Sequence, residues 1–308
     1  MPSVVDVASA ALCPRSSLLK LVYGASGEYN AGLAIGTVTH SALAELGRIE
    51  ATIVDEVTPI SPLEDIAQQV YERWLETADA KINESWRLFA DARISAQDGR
   101  TAVLRNLLGF SRHLAEEIRE GYQRPDRIIT GHHIINLDLP LEGVPDEYRI
   151  WNDPLRIEIR EFKSYGGSRI TETTKLQACG YQFLLEQIYP DAEFTIRVFS
   201  TDDVVKVRMT DKRRAALLQG IANIQSMYET SRGRARAIPQ ICEVCHVGEA
   251  CQYYFHDTNR TMLGDTCGVC EWRLLMTRGW LKSGSGRVEC FHYTFESSWD
   301  MLTQDIMW

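Results

Sequence analysis

The stretch LRIEIREFK, residues 155–163, decides the fold, because apolar and polar side chains alternate along it. Successive side chains of a β-strand point to opposite faces, so this pattern predicts a strand with Ile157 and Ile159 on a buried face. Glu161 and Lys163 continue that face. Burying an unpaired charge is costly, so a carboxylate and an ammonium at the end of an apolar face indicate ion pairing or metal binding.

Asp146 supplies a second carboxylate before this strand, at a turn that leads into another predicted strand. Two adjacent strands would bring Asp146 beside Glu161, and paired carboxylates bind a hard divalent cation such as Mg²⁺ or Mn²⁺. Such an ion would polarise a phosphate and activate water, while Lys163 would orient the water or offset developing charge. An exposed Glu161–Lys163 ion pair is the simpler interpretation of those two residues taken alone.

Helical patterns flank this strand-rich middle and indicate an α/β domain. Helices are predicted over residues 3–23, 33–47, 61–87, 99–120, 172–188 and 211–229. Strands are predicted over residues 127–141, 146–151 and 155–163, with a hairpin formed by 193–200 and 203–209. The sequence Ser61-Pro62-Leu63-Glu64 has the pattern of a capping box with proline at the first helical position. Residues 61–120 therefore form a predicted helical insertion or lid.

Three further side chains are candidates for the same site. Gln177 and Tyr181 are four positions apart on a predicted helix, so they share a face and could hold a phosphate or a base. His40 is an imidazole on an otherwise apolar helical face and could complete a metal shell. The alternatives are ordinary helix positions for Gln177 and Tyr181 and a hydrogen-bonded core histidine for His40.

The cysteines suggest a metal site that ties the two ends of a domain together. Four thiolates bind zinc or an iron–sulfur cluster, and their spacing alone does not decide between the two. The candidate ligands are Cys13, Cys242, Cys245 and Cys251. A second, weaker zinc-like set consists of Cys267, Cys270, Cys290 and His292. Unligated buried thiols are the alternative, and that is the interpretation we prefer for Cys179.

Composition limits the classes of function. The 308 residues can form one large domain, or a domain with an appendage. A net charge of −9 has the wrong sign for a protein that coats nucleic acid, so any such contact must be local. No secretion signal and no apolar run of membrane-spanning length are visible, so we expect a cytoplasmic protein without membrane contact.

The ordered motifs resemble the PD-(D/E)xK nuclease superfamily, and specifically its RecB-like branch. The resemblance rests on Asp146 with Gly143 before it, on Glu161-x-Lys163, and on Gln177-x3-Tyr181, with His40 upstream. The spaced cysteines make the chain similar to the iron–sulfur members, above all the CRISPR-associated Cas-four exonuclease family. The related module of AddB-type helicase–nucleases shares these features.

This resemblance implies a restriction-endonuclease-like core, with a mixed central sheet flanked by helices. The core would span residues 1–255, including the helical insertion at 61–120 and a cluster-binding segment at 240–255. A Cys- and Trp-rich extension of unknown role would follow at 256–308.

By the same resemblance, His40, Asp146 and Glu161 are expected metal ligands, and Lys163 is the expected catalytic lysine. Gln177 and Tyr181 form the motif that follows. The cysteines Cys13, Cys242, Cys245 and Cys251 would bind a [4Fe–4S] cluster, and Mg²⁺ or Mn²⁺ would serve catalysis.

The implied activity is exonucleolytic cleavage of single-stranded DNA from the 5′ end. The implied role is trimming of spacer precursors alongside CRISPR integrase proteins. Two alternatives stay open: a RecB-like repair, viral or plasmid nuclease outside CRISPR, and a non-catalytic DNA-binding scaffold stabilised by zinc or a cluster.

Overall fold

The computed structural model describes residues 1–21, 30–164 and 170–230. The described residues form eight helices and seven strands. The helices are α1 (Val4–Leu12), α2 (Pro14–Leu21), α3 (Ala31–Glu56), α4 (Leu63–Glu84), α5 (Trp86–Asp91), α6 (Ala96–Gly121), α7 (Glu172–Ile188) and α8 (Asp211–Thr230). The strands are β1 (Arg127–Thr130), β2 (Ile134–Asn136), β3 (Leu141–Gly143), β4 (Glu147–Asn152), β5 (Leu155–Lys163), β6 (Glu193–Ser200) and β7 (Val204–Val207).

Five strands form a mixed sheet in the order β1-β4-β5-β6-β7. The neighbours β4 and β5 run antiparallel, whereas β5 and β6 run parallel and are connected through α7. The strands β2 and β3 form a separate antiparallel hairpin. The predicted mixed central sheet flanked by helices is therefore confirmed, including the antiparallel return from β6 to β7 after Thr201 and Asp202.

Helices cover both faces of this sheet. On one face, Phe162 and Phe199 stack with ring centroids 5.1 Å apart, and Phe110 of α6 meets Phe162 edge-on at 5.4 Å. These rings join the sheet to an apolar core that α3, α4 and α6 share. On the other face, α7 packs against β5 and β6. The alternation of β5 thus assigns Glu161 to the α7 side and Phe162 to the side of α6.

The predicted helical segment 61–120 consists of α4, α5 and α6. Its predicted capping box is wrong, because the residue at the N-cap of α4 is Pro62 and no side chain caps the helix. The Pro62 carbonyl instead accepts the N–H groups of Asp65 and Ile66 at 3.0 and 3.1 Å. Proline has no side-chain acceptor, so the backbone alone satisfies the first turn.

The chain divides into two compact units. One consists of residues 28–214 together with Met1, and the other of residues 2–27 and 215–308. Within the second unit, Asn223 of α8 donates to the Ala10 carbonyl at 3.1 Å, and Gly220 lies directly against Val7 of α1. The expected single domain over 1–255 stays a prediction. Among the described helices, none is long and apolar enough to cross a membrane.

Charged side chains form a buried network on the face of the sheet next to α3 and α6. Its members are Glu50, Glu117, Glu147, Arg149, Glu158, Arg160 and Arg197. Arg149 donates to Glu147 at 2.6 Å and to Glu50 of α3, and Arg160 donates to Glu117 of α6 at 2.9 Å. Removing a cation from such a network leaves uncompensated negative charge in the interior, which destabilises the fold.

The pKa values in this network follow from burial and pairing. Burial raises the pKa of Glu50 above its usual value, even though Arg149 opposes the shift. Burial also acts to raise the pKa of Glu117. Its three neighbouring arginines have the larger effect, so the pKa of Glu117 lies below its usual value; they are Arg160, Arg149 and Arg197. The network therefore keeps Glu117 ionised in the interior through three arginines.

Candidate metal centre

The carboxylates of Asp146 and Glu161 lie close together, at the point where β4 begins and β5 ends. Glu147 of β4 pairs with Arg160 of β5, so Asp146, one residue before β4, lies beside the end of β5. The Phe162 backbone N–H donates to Asp146 Oδ2 at 2.8 Å. The antiparallel register thus brings together the two acidic residues that are 15 positions apart in the sequence.

His40 reaches the same place from α3. Its Nδ1 lies 2.8 Å from Asp146 Oδ1, and its side chain is only partly exposed. Burial acts to lower the pKa of His40, but Asp146 and Glu161 outweigh it and raise that pKa. For Asp146, burial acts to raise the pKa, and His40, Lys163 and the Phe162 N–H together hold it below its usual value. The contact between His40 and Asp146 therefore favours the protonated imidazole and the ionised carboxylate.

Glu161 is the most deeply buried of the acidic residues at this point, with 1 % of its surface exposed. Its Oε1 accepts from Lys163 Nζ at 2.6 Å and from Gln177 Nε2 at 2.7 Å, whereas its Oε2 is buried and has no hydrogen-bond partner in the part of the chain that the structure describes. Burial, and then repulsion from Asp146, raises the pKa of Glu161 to about 7. A buried, unpartnered carboxylate oxygen beside a second carboxylate suits a hard cation in chemical type.

The side chain of Lys163 is fixed by α7. Besides Glu161, Lys163 Nζ contacts Gln177 Oε1 at 3.3 Å, and Gln177 Nε2 also donates to the Tyr181 hydroxyl at 2.9 Å. Burial acts to lower the pKa of Lys163, but Glu161 and Asp146 raise it, so the ammonium is retained. Burial raises the pKa of Tyr181 well above its usual value, so the phenol stays protonated. Gln177 and Tyr181 thus lie on one face of α7, where Gln177 bonds Glu161 and Tyr181 bonds Gln177.

The described residues contain no three His, Cys, Asp or Glu side chains already arranged as a metal cage. Hydrogen bonds occupy most of the carboxylate oxygens at the site: His40 and the Phe162 N–H contact the two oxygens of Asp146. Lys163 and Gln177 hold one oxygen of Glu161. A cation would bind Glu161 Oε2 and an oxygen of Asp146, because a carboxylate oxygen that accepts one hydrogen bond keeps a second lone pair. The donor set fits Mg²⁺ or Mn²⁺ in kind.

Comparison with profiles of known protein families shows which family this chain belongs to. A profile of the PD-(D/E)XK nuclease superfamily matches residues 3–252 of the 308. The chain belongs to the PD-(D/E)XK nuclease superfamily. Its mixed five-stranded sheet flanked by helices is the fold of that superfamily, whose members are nucleases and generally use Mg²⁺ or Mn²⁺. No curated protein sequence matches the chain.

The cysteine predictions are only partly covered by the described residues. Cys13 is a buried free thiol at the C-cap of α1. The other candidate ligands lie outside the described residues: Cys242, Cys245, Cys251, Cys267, Cys270, Cys290 and His292. Cys179 is a buried free thiol on α7, and burial raises its pKa to about 11, in agreement with a packed, unreactive side chain.

One contact at the site escapes sequence reasoning. The Phe162 backbone N–H orients Asp146, and residue types carry no signal for a backbone donor. Only the strand register reveals this contact, because that register sets which β5 amide faces Asp146.

Proposed function

We propose that this superfamily member is a metal-dependent exonuclease that cleaves single-stranded DNA from the 5′ end. The observation that carries the proposal is the buried Oε2 of Glu161, which has no hydrogen-bond partner among the described residues, on a carboxylate close to both Asp146 and Lys163. A structural ion pair would have no use for such an orphaned oxygen, because an unsatisfied buried acceptor costs stability. The resemblance of the ordered motifs to the Cas-four exonucleases supports the choice of single strands and of the 5′ end.

Each side chain has a role in this proposal. Asp146 and Glu161 would hold the cation through carboxylate oxygens, with His40 as the third ligand. A bound Mg²⁺ or Mn²⁺ would polarise the phosphate and lower the pKa of the attacking water. Lys163 keeps its proton and stabilises negative charge that develops on the phosphate. Gln177 holds Glu161 and Lys163 in place, and Tyr181 in turn holds Gln177.

Cleavage of end-labelled single-stranded DNA in the presence of Mn²⁺ tests this function. We expect wild type to shorten linear strands from the 5′ end and to leave circular single strands intact. Asp146→Ala and Lys163→Ala should lose at least about a hundredfold in rate, as expected when groups that act in the transition state are removed. Equal product from wild type and both variants would refute the site, and cleavage of circles would refute the exonuclease mode.

Matched controls remove the same charges elsewhere on the surface. Asp191 and Lys206 are exposed and lie outside the site, so Asp191→Ala and Lys206→Ala should cleave at the wild-type rate. If these control variants lose as much cleavage rate as the site variants, the change in net charge, and not damage to the metal centre, causes the loss.

We further propose that Cys13 with Cys242, Cys245 and Cys251 binds a [4Fe–4S] cluster. The spacing of the cysteines and the resemblance to the iron–sulfur nucleases support this. The packing of α8 on α1 supports it too, because the hydrogen bond from Asn223 to Ala10 holds the helix before the cysteine segment close to Cys13. Such a cluster would be structural and would limit local unfolding.

Anaerobic purification tests the cluster directly. The protein should be brown and contain iron and acid-labile sulfide in equal amounts, and Cys13→Ser should lose both. Cys179→Ser serves as the control, because this buried thiol lies outside the proposed set and its loss should leave the iron content unchanged. A colourless preparation loaded with zinc would overturn the iron–sulfur assignment.

The proposed biological role is the trimming of spacer precursors in CRISPR adaptation, in the cytoplasm. The resemblance to the Cas-four family supports this role, and the alternative is a repair, viral or plasmid nuclease with the same chemistry. Co-purification with a CRISPR integrase, with Lys163→Ala to keep the substrate intact, would support the first. An integrase that neither binds the protein nor uses its products would favour the alternative.

A further inference from the structure

The β2–β3 hairpin exposes three apolar side chains next to the candidate metal centre. Ile135, Leu137 and Val144 are 51 %, 82 % and 45 % exposed. The inner face of the same hairpin is buried, with Ile134 and Leu141 in the core, and the hairpin packs against α7. Exposed aliphatic side chains in one place on a surface often mark a binding site, because water solvates them poorly.

The tip of this hairpin is held in a fixed conformation. Asn136 is buried, and its Oδ1 accepts the backbone N–H groups of Asp138 and Leu139, both at 2.9 Å. This arrangement is an Asx-type turn, in which a side chain replaces a backbone acceptor. Leu137 therefore stands on an ordered turn, and little conformational entropy is lost when it contacts a ligand.

In the sequence, the β2–β3 hairpin is followed almost immediately by Asp146 of the candidate metal centre. Only Val144 and Pro145 separate β3 from Asp146. Because consecutive Cα atoms are about 3.8 Å apart, the Val144 and Asp146 Cα atoms lie within about 8 Å of each other. Ile135 pairs with Glu142, two residues further back. A phosphate bound at Asp146 would therefore carry its own base, or that of a neighbouring nucleotide, within reach of this face.

The chemistry of the face selects bases rather than phosphates. Within residues 133–145, the ionisable side chains are His133 and Glu142, which lie 3.1 Å apart, and the exposed Asp138. These groups include no lysine or arginine that would neutralise a phosphate backbone. Aliphatic side chains instead contact the flat faces of bases and can insert between them when the bases leave their stack.

We propose that Ile135, Leu137 and Val144 form a base-contacting face that holds unstacked nucleotides beside the scissile phosphate. The proposal rests on the nuclease function proposed above and adds to it the residues that would select unstacked nucleotides. Nucleotides that are already unstacked bind this face without the cost of breaking a stack. The face therefore favours single strands and frayed ends over closed duplex.

A fluorescent base reports this contact independently of cleavage. The probe is single-stranded DNA with 2-aminopurine at each of the first four positions from the 5′ end, bound by protein carrying Lys163→Ala so that the strand stays intact. Binding should raise the emission at one or two positions. The triple change Ile135→Ser, Leu137→Ser and Val144→Ser should abolish the rise and weaken binding at least about tenfold, because each side chain loses apolar contact.

A matched triple variant controls for the loss of surface apolar area. Ile60, Leu108 and Leu218 are also exposed and lie outside the hairpin, so their replacement by serine should leave emission and affinity unchanged. The melting temperature of both triple variants should match that of the parent, since the replaced side chains are exposed. Equal emission and equal affinity in the hairpin variant and its parent would overturn the proposal.

The remaining outcomes separate this proposal from the proposed nuclease function. If wild type cleaves DNA but the emission is equal in the hairpin variant and its parent, the base-contacting face is overturned and the nuclease function stands. Hairpin-dependent emission without cleavage by wild type overturns the nuclease and supports the face. A wild-type dimer that becomes a monomer in the hairpin variant, with unchanged emission, would assign the face to self-association and overturn the proposal. Absence of any DNA binding overturns both.

Discussion

Replacing Arg149 by methionine should destabilise the fold by about 3–5 kcal/mol, because this change breaks a buried ion network from its centre. Arg149 is 1 % exposed and contacts Glu147 and Glu50, and Glu117 Oε2 lies 3.7 Å from its guanidinium. Methionine fills similar volume but leaves these carboxylates without their main cation. Since folded proteins are typically stable by about 5–15 kcal/mol, the loss is a large share of the total.

The loss of folding stability depends on which residue of the ion network is replaced. Glu50→Gln should cost no more than about 1 kcal/mol, because Arg149 keeps Glu147 and Glu117 while the glutamine keeps its contact with the Tyr122 hydroxyl. The double variant Arg149→Met with Glu50→Gln should be more stable than Arg149→Met alone, since one of the stranded charges is gone. This rescue is the coupling that a double-mutant cycle measures.

Urea unfolding of wild type and variants at pH 7 and at pH 4 provides the assay. In Arg149→Met the folded-state pKa of Glu50 rises further above its ordinary value of 4.5. A carboxyl group with a raised folded pKa destabilises the fold above that pKa and ceases to do so below the unfolded value. The gap between wild type and Arg149→Met should therefore shrink towards pH 4. A gap below about 1 kcal/mol at pH 7, or one that widens on acidification, would refute this reasoning.

Three further predictions follow from the packing and from the site. Gly220→Ala should cost about 1–3 kcal/mol in urea unfolding, because its Cβ would collide with the Val7 carbonyl, while the exposed Ser226→Ala should change little. Gln177→Ala should lower kcat at saturating DNA by roughly 10-fold or more through loss of its bond to Glu161, and an unchanged kcat would contradict that role. Mn²⁺ should raise the Tm of wild type but not of Glu161→Gln, since only a bound ligand stabilises by mass action; equal shifts would place the ion elsewhere.

Local periodicity was sufficient to predict the elements that matter most. The alternation in residues 155–163 predicted β5 at its observed bounds, and the helical spacing predicted α7 over 172–188. The meeting of Asp146 with Glu161 then followed from pairing two neighbouring strands, which is a short-range arrangement. The order of motifs along the chain thus located the carboxylates, the lysine and the glutamine that the structure brings together.

Turn geometry divided one predicted strand into pieces. The run 127–141 is interrupted at Gly131, whose φ of +61° is a conformation that glycine adopts readily, and again at the tip of the β2–β3 hairpin. The sequence shows the glycine, but only the pairing of β1 with β4 and of β2 with β3 shows that two sheets begin there.

The buried ion network could not be predicted from one sequence. Alternation tells which side chains of β5 share a face, but not what covers the face opposite Glu161. The partner of Arg149 on α3 is 99 residues away in the chain, and the partner of Arg160 on α6 is 43 residues away. Charged residues on a strand ordinarily indicate a solvent-facing side, so their burial by distant acids is a property of the tertiary fold alone.

The network on the far side of the sheet has a consequence for how reliably the metal centre assembles. A slip of β5 by one residue against β4 would exchange the two faces of the strand and put Arg160 or Phe162 opposite Asp146 in place of Glu161. The same slip would break the pairing of Arg160 with Glu147 and Glu117. The ion network therefore favours the one register of β5 in which Asp146 and Glu161 face each other, although none of its members belongs to the metal centre.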